Sequence, residues 1–523
     1  MAMRSFLEDR VERRLTKPLL HCEGEVVSYE EFDRRVNRAA RGFWELGVRK
    51  GDKVSLLLPN VPEFLYAWFG LAKIGSVMVP VNTGFKPSEA SYVVRHSDSV
   101  GMVVSGDHLT AAQSIREECP AVQWVVCTEG GEGALDYGRL CREMPEGAPA
   151  VDVADDDLVQ IIYTSGTTGF PKGVMHVHRD MAMTGEAFTL CAGLSSDDRV
   201  MVILPLFHAN AQYYSVMGAL AAEASLVLIR RFSAGAFWEQ TVQYGVTEFN
   251  FVGAVGRILC RRPLEEFRSD HRIRTAYGAL VTPDVYEHFT KRFGIANVID
   301  GYGLTEVPRV SQNPIGGTIK MRSMGLPARH PDPAVKFAEV KIVDEDSREV
   351  PPGEKGELII RSPVMMKGYY KDEEKTREAI RNDWFYSGDY AYRDTDGYLF
   401  FVDRKKDIIR RKGENISATE IESAINGSDK VLEAAVIAVP SELGEDEILA
   451  SVVLKTGAKM TPEEVIDQCQ ERLASFKIPR YVQFRESLPK TSTERTAKFI
   501  LKAEERLIAL SHDMAGYKQK LHL

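Results

Sequence analysis

The chain has 523 residues, too many for one ordinary core, so two or more domains with large buried interiors are expected. Its composition, 44% hydrophobic and 27% charged with no low-complexity tract, is that of a soluble globular enzyme. The 66 basic and 75 acidic residues leave a net charge of −9, which argues against a general nucleic-acid or anionic-membrane surface; any polyanion must be met locally. Met1 to Arg10 lacks the apolar segment of a signal peptide, and Glu8 and Asp9 arrive too early for a transit peptide. The most apolar region, Val54 to Val81, is broken by Pro59, Pro62, Glu63 and Lys73 and does not read as a membrane span. Cys22, Cys119, Cys127, Cys141, Cys191, Cys260 and Cys469 are scattered and never form a Cys-x-x-Cys pair. That fits a reducing cytoplasm and offers no structural zinc site.

Up to about residue 150 helical and strand patterns alternate. Ser28-Tyr29-Glu30-Glu31 reads as a capping box opening a helix that carries Phe32, Val36, Phe43 and Trp44 and closes at Gly47. A strand over 54–58, a helix over 62–74 ended by Gly75, and strands over 77–81, 100–105 and 122–127 follow. This α/β alternation implies a largely parallel sheet covered on both faces. Residues 218–230 and 237–249 repeat it after the first functional motif.

That motif is Thr164-Ser165-Gly166-Thr167-Thr168-Gly169-Phe170-Pro171-Lys172-Gly173, on the loop leaving the apolar strand Leu158 to Ile162. Gly166 and Gly169 let the backbone approach an anion, Thr164, Ser165, Thr167 and Thr168 offer hydroxyl donors, and Lys172 adds a charge. It is a phosphate loop but not of the Walker type, because Gly173 follows the lysine where Ser or Thr would stand. Downstream, His208 and Asn210 lie just past a strand end, where open α/β sheets place ligands. In Asp300-Gly301-Tyr302-Gly303-Leu304-Thr305-Glu306, Tyr302 can stack on a purine and Gly303 admits close backbone approach. Thr305 can bond an α-phosphate, and Glu306 is a hard oxygen ligand suited to Mg²⁺.

The phosphate loop resembles the signature of the adenylate-forming superfamily: acyl-CoA synthetases, luciferases and peptide-synthetase adenylation domains. The resemblance covers nearly the whole chain, with further motifs in family order: Asp300 to Glu306, Trp384 to Asp389, and Asp403 to Ser417. It implies a large N-terminal domain of stacked α/β subdomains, residues 1–403, and a small mobile α+β C-terminal lid, residues 404–523. It also implies adenine contact by Gly278 and Ala279, ribose contact by Asp389 and Arg404, and Mg²⁺ on Thr167 and Glu306. An acyl pocket around His208, Asn210, Phe251 and Gly253, a hinge at Lys406 and a CoA contact at Lys412, Gly413 and Glu414 complete the set. Amino-acid adenylation domains carry Asp where His208 stands, so an α-amino acid substrate is disfavoured.

The implied activity is an acid–thiol ligase that uses ATP, Mg²⁺ and coenzyme A on a small to medium carboxylic acid. Phe207-His208 and Trp68 to Gly75 also resemble bacterial medium-chain and carnitine/crotonobetaine-type CoA ligases, although no carboxylate stands where it would pair a quaternary ammonium. A carrier-protein thiol, a luciferase-like oxidase, a nucleotide-binding pseudoenzyme and a homodimer remain open. The chain departs from the family at the lid lysine: relatives read Pro-Lys-Thr-x-x-Gly-Lys, whereas Glu494 and Arg495 occupy those last two places here, with Lys498 three residues on. Arg495 keeps a cation as a planar fork rather than a compact ammonium. Lys498 replaces it if the segment is helical, since positions three apart then share a face.

Overall fold

The computed structural model describes the chain except residues 143, 165–170, 280, 405–406, 412–413, 441–445, 474, 491–495, 505 and 521–523. The local signals of the N-terminal part form elements close to the expected ones. Ser28 Oγ accepts the Glu31 amide at 3.1 Å and starts the helix Tyr29–Glu45, and Gly47 leaves it with φ +91°. Pro62 begins the helix Pro62–Lys73, where its missing N–H costs nothing.

Among the described residues the strands make two large sheets. In the eight-stranded one, Lys53–Leu57 sits between Val77–Pro80 and Ser99–Val104, all parallel, and Leu158–Thr164 joins Val77–Pro80. In the nine-stranded one, Arg199–Val202, Glu248–Val252, Thr275–Ala279 and Asn297–Tyr302 run parallel. One continuous hydrophobic core joins Tyr29–Glu45, Pro62–Lys73 and both sheets. Lys73 is 1% exposed within it, satisfied by Asp33 at 2.6 Å and Asn37 at 2.7 Å, so its charge is paired where burial requires it.

A third sheet was not expected from the sequence pattern. It is antiparallel and built from Glu339–Val343, Gly356–Arg361, Ile380–Arg381, Trp384–Arg393 and Leu399–Arg404. The anticipated parallel arrangement also fails locally at the phosphate loop: Lys172–Val177 returns antiparallel along Leu158–Thr164, with Thr164 opposite Lys172. The strands before and after residues 165–170 are thus antiparallel neighbours.

Residues 403 and 404 are the last two of the strand Leu399–Arg404. Asp403 looks forward, its carboxylate accepting from Ser417 Oγ at 2.9 Å and the Thr419 amide at 3.0 Å at the start of the helix Ala418–Asn426. Arg404 looks back, to Asp389. Beyond them Val431–Pro440, Asp446–Leu454, Tyr481–Arg485 and His512–Asp513 form a small mixed sheet with a core of its own. No helix among the described residues is long and apolar enough to cross a membrane.

Candidate active site

Ser165, Gly166, Thr167, Thr168 and Gly169 lie outside the described residues; Thr164 and Lys172 bracket them. The Lys172 ammonium sits 4.8 Å from the centre of the Tyr369 ring, and Tyr369 donates its phenol proton to Glu306 Oε1 at 2.9 Å. Burial, then the neighbouring Glu306 carboxylate, holds that phenol far above the usual tyrosine range, so it remains a donor. Tyr369 thus brings the loop lysine and the Glu306 carboxylate to one place. It was missed because its only local setting is the two-residue strand Gly368–Tyr369, which pairs across the sequence with Met175 and Val174.

Asp300 to Glu306 follows the strand Asn297–Tyr302. Asp300 Oδ1 accepts the Val281 amide at 3.2 Å and so holds the chain just past Gly278 and Ala279 at the end of Thr275–Ala279. A narrow cleft lined by Val281, Tyr286, Asp300, Asn313 and Met321 opens beside them. Gly301 and Gly303 are required by close packing: a Cβ on Gly301 would stand 2.1 Å from Tyr277 Oη, and one on Gly303 2.8 Å from both the Arg309 nitrogen and Tyr214 Oη. Tyr302 donates to Asp389 Oδ2, and Arg404 Nε reaches Asp389 Oδ1 at 2.6 Å. Burial and then Asp389 push the Tyr302 phenol far above its ordinary range, so it too stays protonated. Asp389 is 1% exposed, and its carboxylate is an acceptor at both oxygens.

A buried histidine bridge couples these parts. His176 Nε2 donates to the Thr305 carbonyl at 2.7 Å, while Nδ1 meets Asp180 Oδ2 at 3.0 Å; both side chains are fully buried. The strand leaving the phosphate loop, the helix His178–Ala192 and the Thr305-Glu306 turn are thereby locked together. The sequence signal was the i, i+4 pair His176/Asp180, which reads as ordinary helix-entry chemistry. His176→Leu is expected to lower the rate of adenylate formation roughly 10-fold, from one buried hydrogen bond worth about 1–3 kcal/mol. His176→Gln, which keeps a donor for Thr305, should recover most of it; single-turnover pyrophosphate release measures both.

The residues expected at the acyl pocket divide. His208 donates its amide to Pro205 O at 3.0 Å, and Asn210 has a buried Oδ1 with no hydrogen-bond partner among the described residues. Asn210 precedes the helical turn Ala211–Val216, whose Ser215 accepts from Asn250 at 2.7 Å. Strand alternation then puts Phe251 on the opposite face of Glu248–Val252. It packs there on Phe249 and Phe289 and closes over Gly278, so it does not join His208 and Asn210. Val252, 39% exposed, is its neighbour on the open side, and Gly253 starts the helix Gly253–Cys260.

In the lid, Lys406, Lys412, Gly413 and Arg495 fall outside the described residues, and Glu414 opens the strand Glu414–Ser417. Lys498 begins the helix Lys498–Lys502 and pairs with Glu422 at 2.8 Å. Burial works against its charge, but Glu422, Asp403 and Asp407 together hold the ammonium above the usual lysine range. Its partner is therefore internal to the lid.

A buried carboxylate backed by a tyrosine and an arginine, a lysine and a glutamate joined through a tyrosine, and a separate small domain beginning beside them define a nucleotide-using enzyme of two domains. Residues 7–370 match the AMP-binding enzyme family and residues 420–495 its C-terminal domain. The chain belongs to the AMP-binding enzyme family. It is 33% identical over 497 residues to a crotonobetaine/carnitine–CoA ligase of Salmonella arizonae, covering 92% of this chain and 94% of that protein. Among solved structures it is similar to the anthranilate CoA ligase AuaEII in complex with anthranoyl-AMP (TM-score 0.86, 26% identity, 97% of this chain and 98% of that one). It is also similar to ATP-bound MatB from Rhodopseudomonas palustris (TM-score 0.88, 25% identity, 98% and 100%).

Proposed function

We propose that this protein is an AMP-forming acyl-CoA synthetase. A substrate carboxylate oxygen attacks the α-phosphorus of ATP and pyrophosphate leaves; the thiol of coenzyme A then attacks the acyl carbon and AMP leaves. The observation that carries the reading is the convergence of Lys172, Tyr369 and Glu306 on one side and Tyr302, Asp389 and Arg404 on the other. Asp389 takes the ribose hydroxyls, with Arg404 fixing its carboxylate. Gly278 and Ala279 line the adenine, and Lys172 with the hydroxyls of Thr164, Ser165, Thr167 and Thr168 and the backbone of Gly166 and Gly169 holds the phosphates. Catalysis of the first step is then largely positioning and charge neutralisation.

No group of three or more His, Cys, Asp or Glu suited to a metal occurs among the described residues. Mg²⁺ does not need one, because it binds through one or two carboxylates together with substrate phosphates. Glu306 has that chemistry: Oε1 accepts the Tyr369 hydrogen bond and Oε2 would serve a cation, with the Thr167 hydroxyl as the second protein ligand. When bound, the ion would offset phosphate charge. Arg495 supplies the lid cation of the adenylation step, Lys406 is the pivot that exchanges it for the CoA side, and Lys412, Gly413 and Glu414 border the thiol's approach. His208 and Asn210 border the acyl group, a small to medium acid.

The test is a screen of carboxylic acids for AMP release with and without coenzyme A. Acid-dependent release that rises with the thiol supports the reading. Release that needs oxygen in place of a thiol would point to an adenylating oxidase, and no acid-dependent release at all would sink it.

A further inference from the structure

Arg309 lies three residues beyond Glu306, and three independent features set it apart. Its side chain is 1% exposed, among the largest fully buried side chains of the protein. Its backbone has φ +60°, a left-handed conformation that costs a non-glycine residue about 1–2 kcal/mol. Nε and Nη1 have no hydrogen-bond partner among the described residues, and no carboxylate among them forms an ion pair with it.

The neighbours are neutral. Phe188 lies with its ring centre 5.6 Å from the guanidinium carbon and stacks on Tyr214, while Tyr277 meets both rings edge-on. Nη2 reaches the Gln312 side-chain oxygen, and the Cys191 thiol lies against the guanidinium, kept protonated by burial. A guanidinium is charged at every accessible pH, and a buried charge without a counter-charge is among the most costly features a fold can hold. Strain and uncompensated charge together, next to reacting groups, mark a site that awaits a ligand. The backbone leads there: Gly303 of the Glu306 motif lies so close that a Cβ on it would stand 2.8 Å from the Arg309 nitrogen and from Tyr214 Oη, and the Arg309 amide donates to that hydroxyl at 3.1 Å.

We propose that Arg309 is a specificity-determining residue that receives a second carboxylate of the acyl substrate, so that the preferred acid is a dicarboxylic acid of which one carboxylate is activated and the other is held by this guanidinium. The proposal rests on the ligase reading above. It separates this chain from its crotonobetaine/carnitine relatives, whose named acids carry a quaternary ammonium. A fixed cation beside an unpaired guanidinium would be repelled, whereas a carboxylate accepts charge-assisted N–H bonds from it.

The experiment compares kcat/KM for thioester formation across dicarboxylic acids of three to eight carbons, monocarboxylic acids of matched length and an ω-trimethylammonium acid. It uses the full-length wild type, Arg309→Met, which keeps volume, and Arg309→Gly, which suits the left-handed backbone. The wild type should favour one dicarboxylic acid over its monocarboxylic match by about 100-fold or more, as expected when a buried polar group is left unpaired. Both variants should lose that preference while retaining turnover of the monocarboxylic acid and a cooperative melt. Equal wild-type use of mono- and dicarboxylic acids, best use of the trimethylammonium acid, or an unchanged preference in a folded variant overturns it. Absence of pyrophosphate release with every acid falls instead on the ligase reading, and removes this proposal with it.

Discussion

Asp389→Ala should raise the KM for ATP by roughly 100-fold or more, a loss of about 3 kcal/mol from two hydrogen bonds to a charged acceptor. The carboxylate is buried at 1% exposure, aimed by Tyr302 from one side and Arg404 from the other, so its geometry is set before any nucleotide arrives. Removing it also strands the Arg404 guanidinium and the Tyr302 hydroxyl. Asp389→Asn is the sharper test, because it preserves shape and still accepts from one neighbour; its effect should lie between those of wild type and alanine. The KM for the acid should change far less than the KM for ATP. Steady-state kinetics with each substrate varied in turn measures this, and equal effects on both would detach Asp389 from the nucleotide.

Arg495→Ala and Lys498→Met should fail in different ways. If Arg495 is the lid cation of adenylation, its loss removes charge stabilisation present only in the transition state. The rate of acyl-adenylate formation should then fall about 100- to 1,000-fold while the thermal transition stays in place. The second half-reaction, thioester formation from chemically prepared acyl-adenylate, should be nearly unaffected. Lys498 is committed elsewhere: it neutralises Glu422 inside the lid, and Glu422 is itself lifted above the usual carboxylate range by burial even with the lysine beside it. Its removal leaves the Glu422 carboxyl without its cation and beside Asp403, at a cost of about 3 kcal/mol. Lys498→Met should therefore lower the lid's melting temperature before it alters chemistry. The reverse pattern, with a stable Lys498 variant dead in adenylation and an active Arg495 variant, would exchange the two roles.

What was legible in the sequence was local. A cap such as Ser28, a glycine such as Gly47 and a motif such as Asp300 to Glu306 are read from a few consecutive residues; Ser28 caps its helix, Gly47 ends it, and Asp300 stands at a strand end beside Val281. What was not legible depended on partners far along the chain. Tyr369 acquires meaning only when its two-residue strand pairs beside Lys172, and His176 only when the Thr305 carbonyl, more than a hundred residues on, meets its ring. Phe251 shows how parity acts: on a strand, one residue decides the face, and Asn250, bonded to Ser215, lies on the face opposite Phe251. Arg309 reads as an unremarkable residue between Pro308 and Val310, because neither its burial nor its left-handed backbone has a sequence signature. The third sheet was overlooked because its strands are separated by turns and a short helix, and the Trp384 to Asp389 motif on one of them does not name that strand's partners.

The account stands or falls on acid activation by adenylate transfer, and the most direct measurement is isotope exchange of labelled pyrophosphate into ATP in the absence of coenzyme A. Exchange that requires an acid, is abolished by Lys172→Ala and by Glu306→Ala, and leads with thiol to one AMP per thioester is the predicted result. Exchange independent of any acid, or ADP and phosphate as the products, would contradict it.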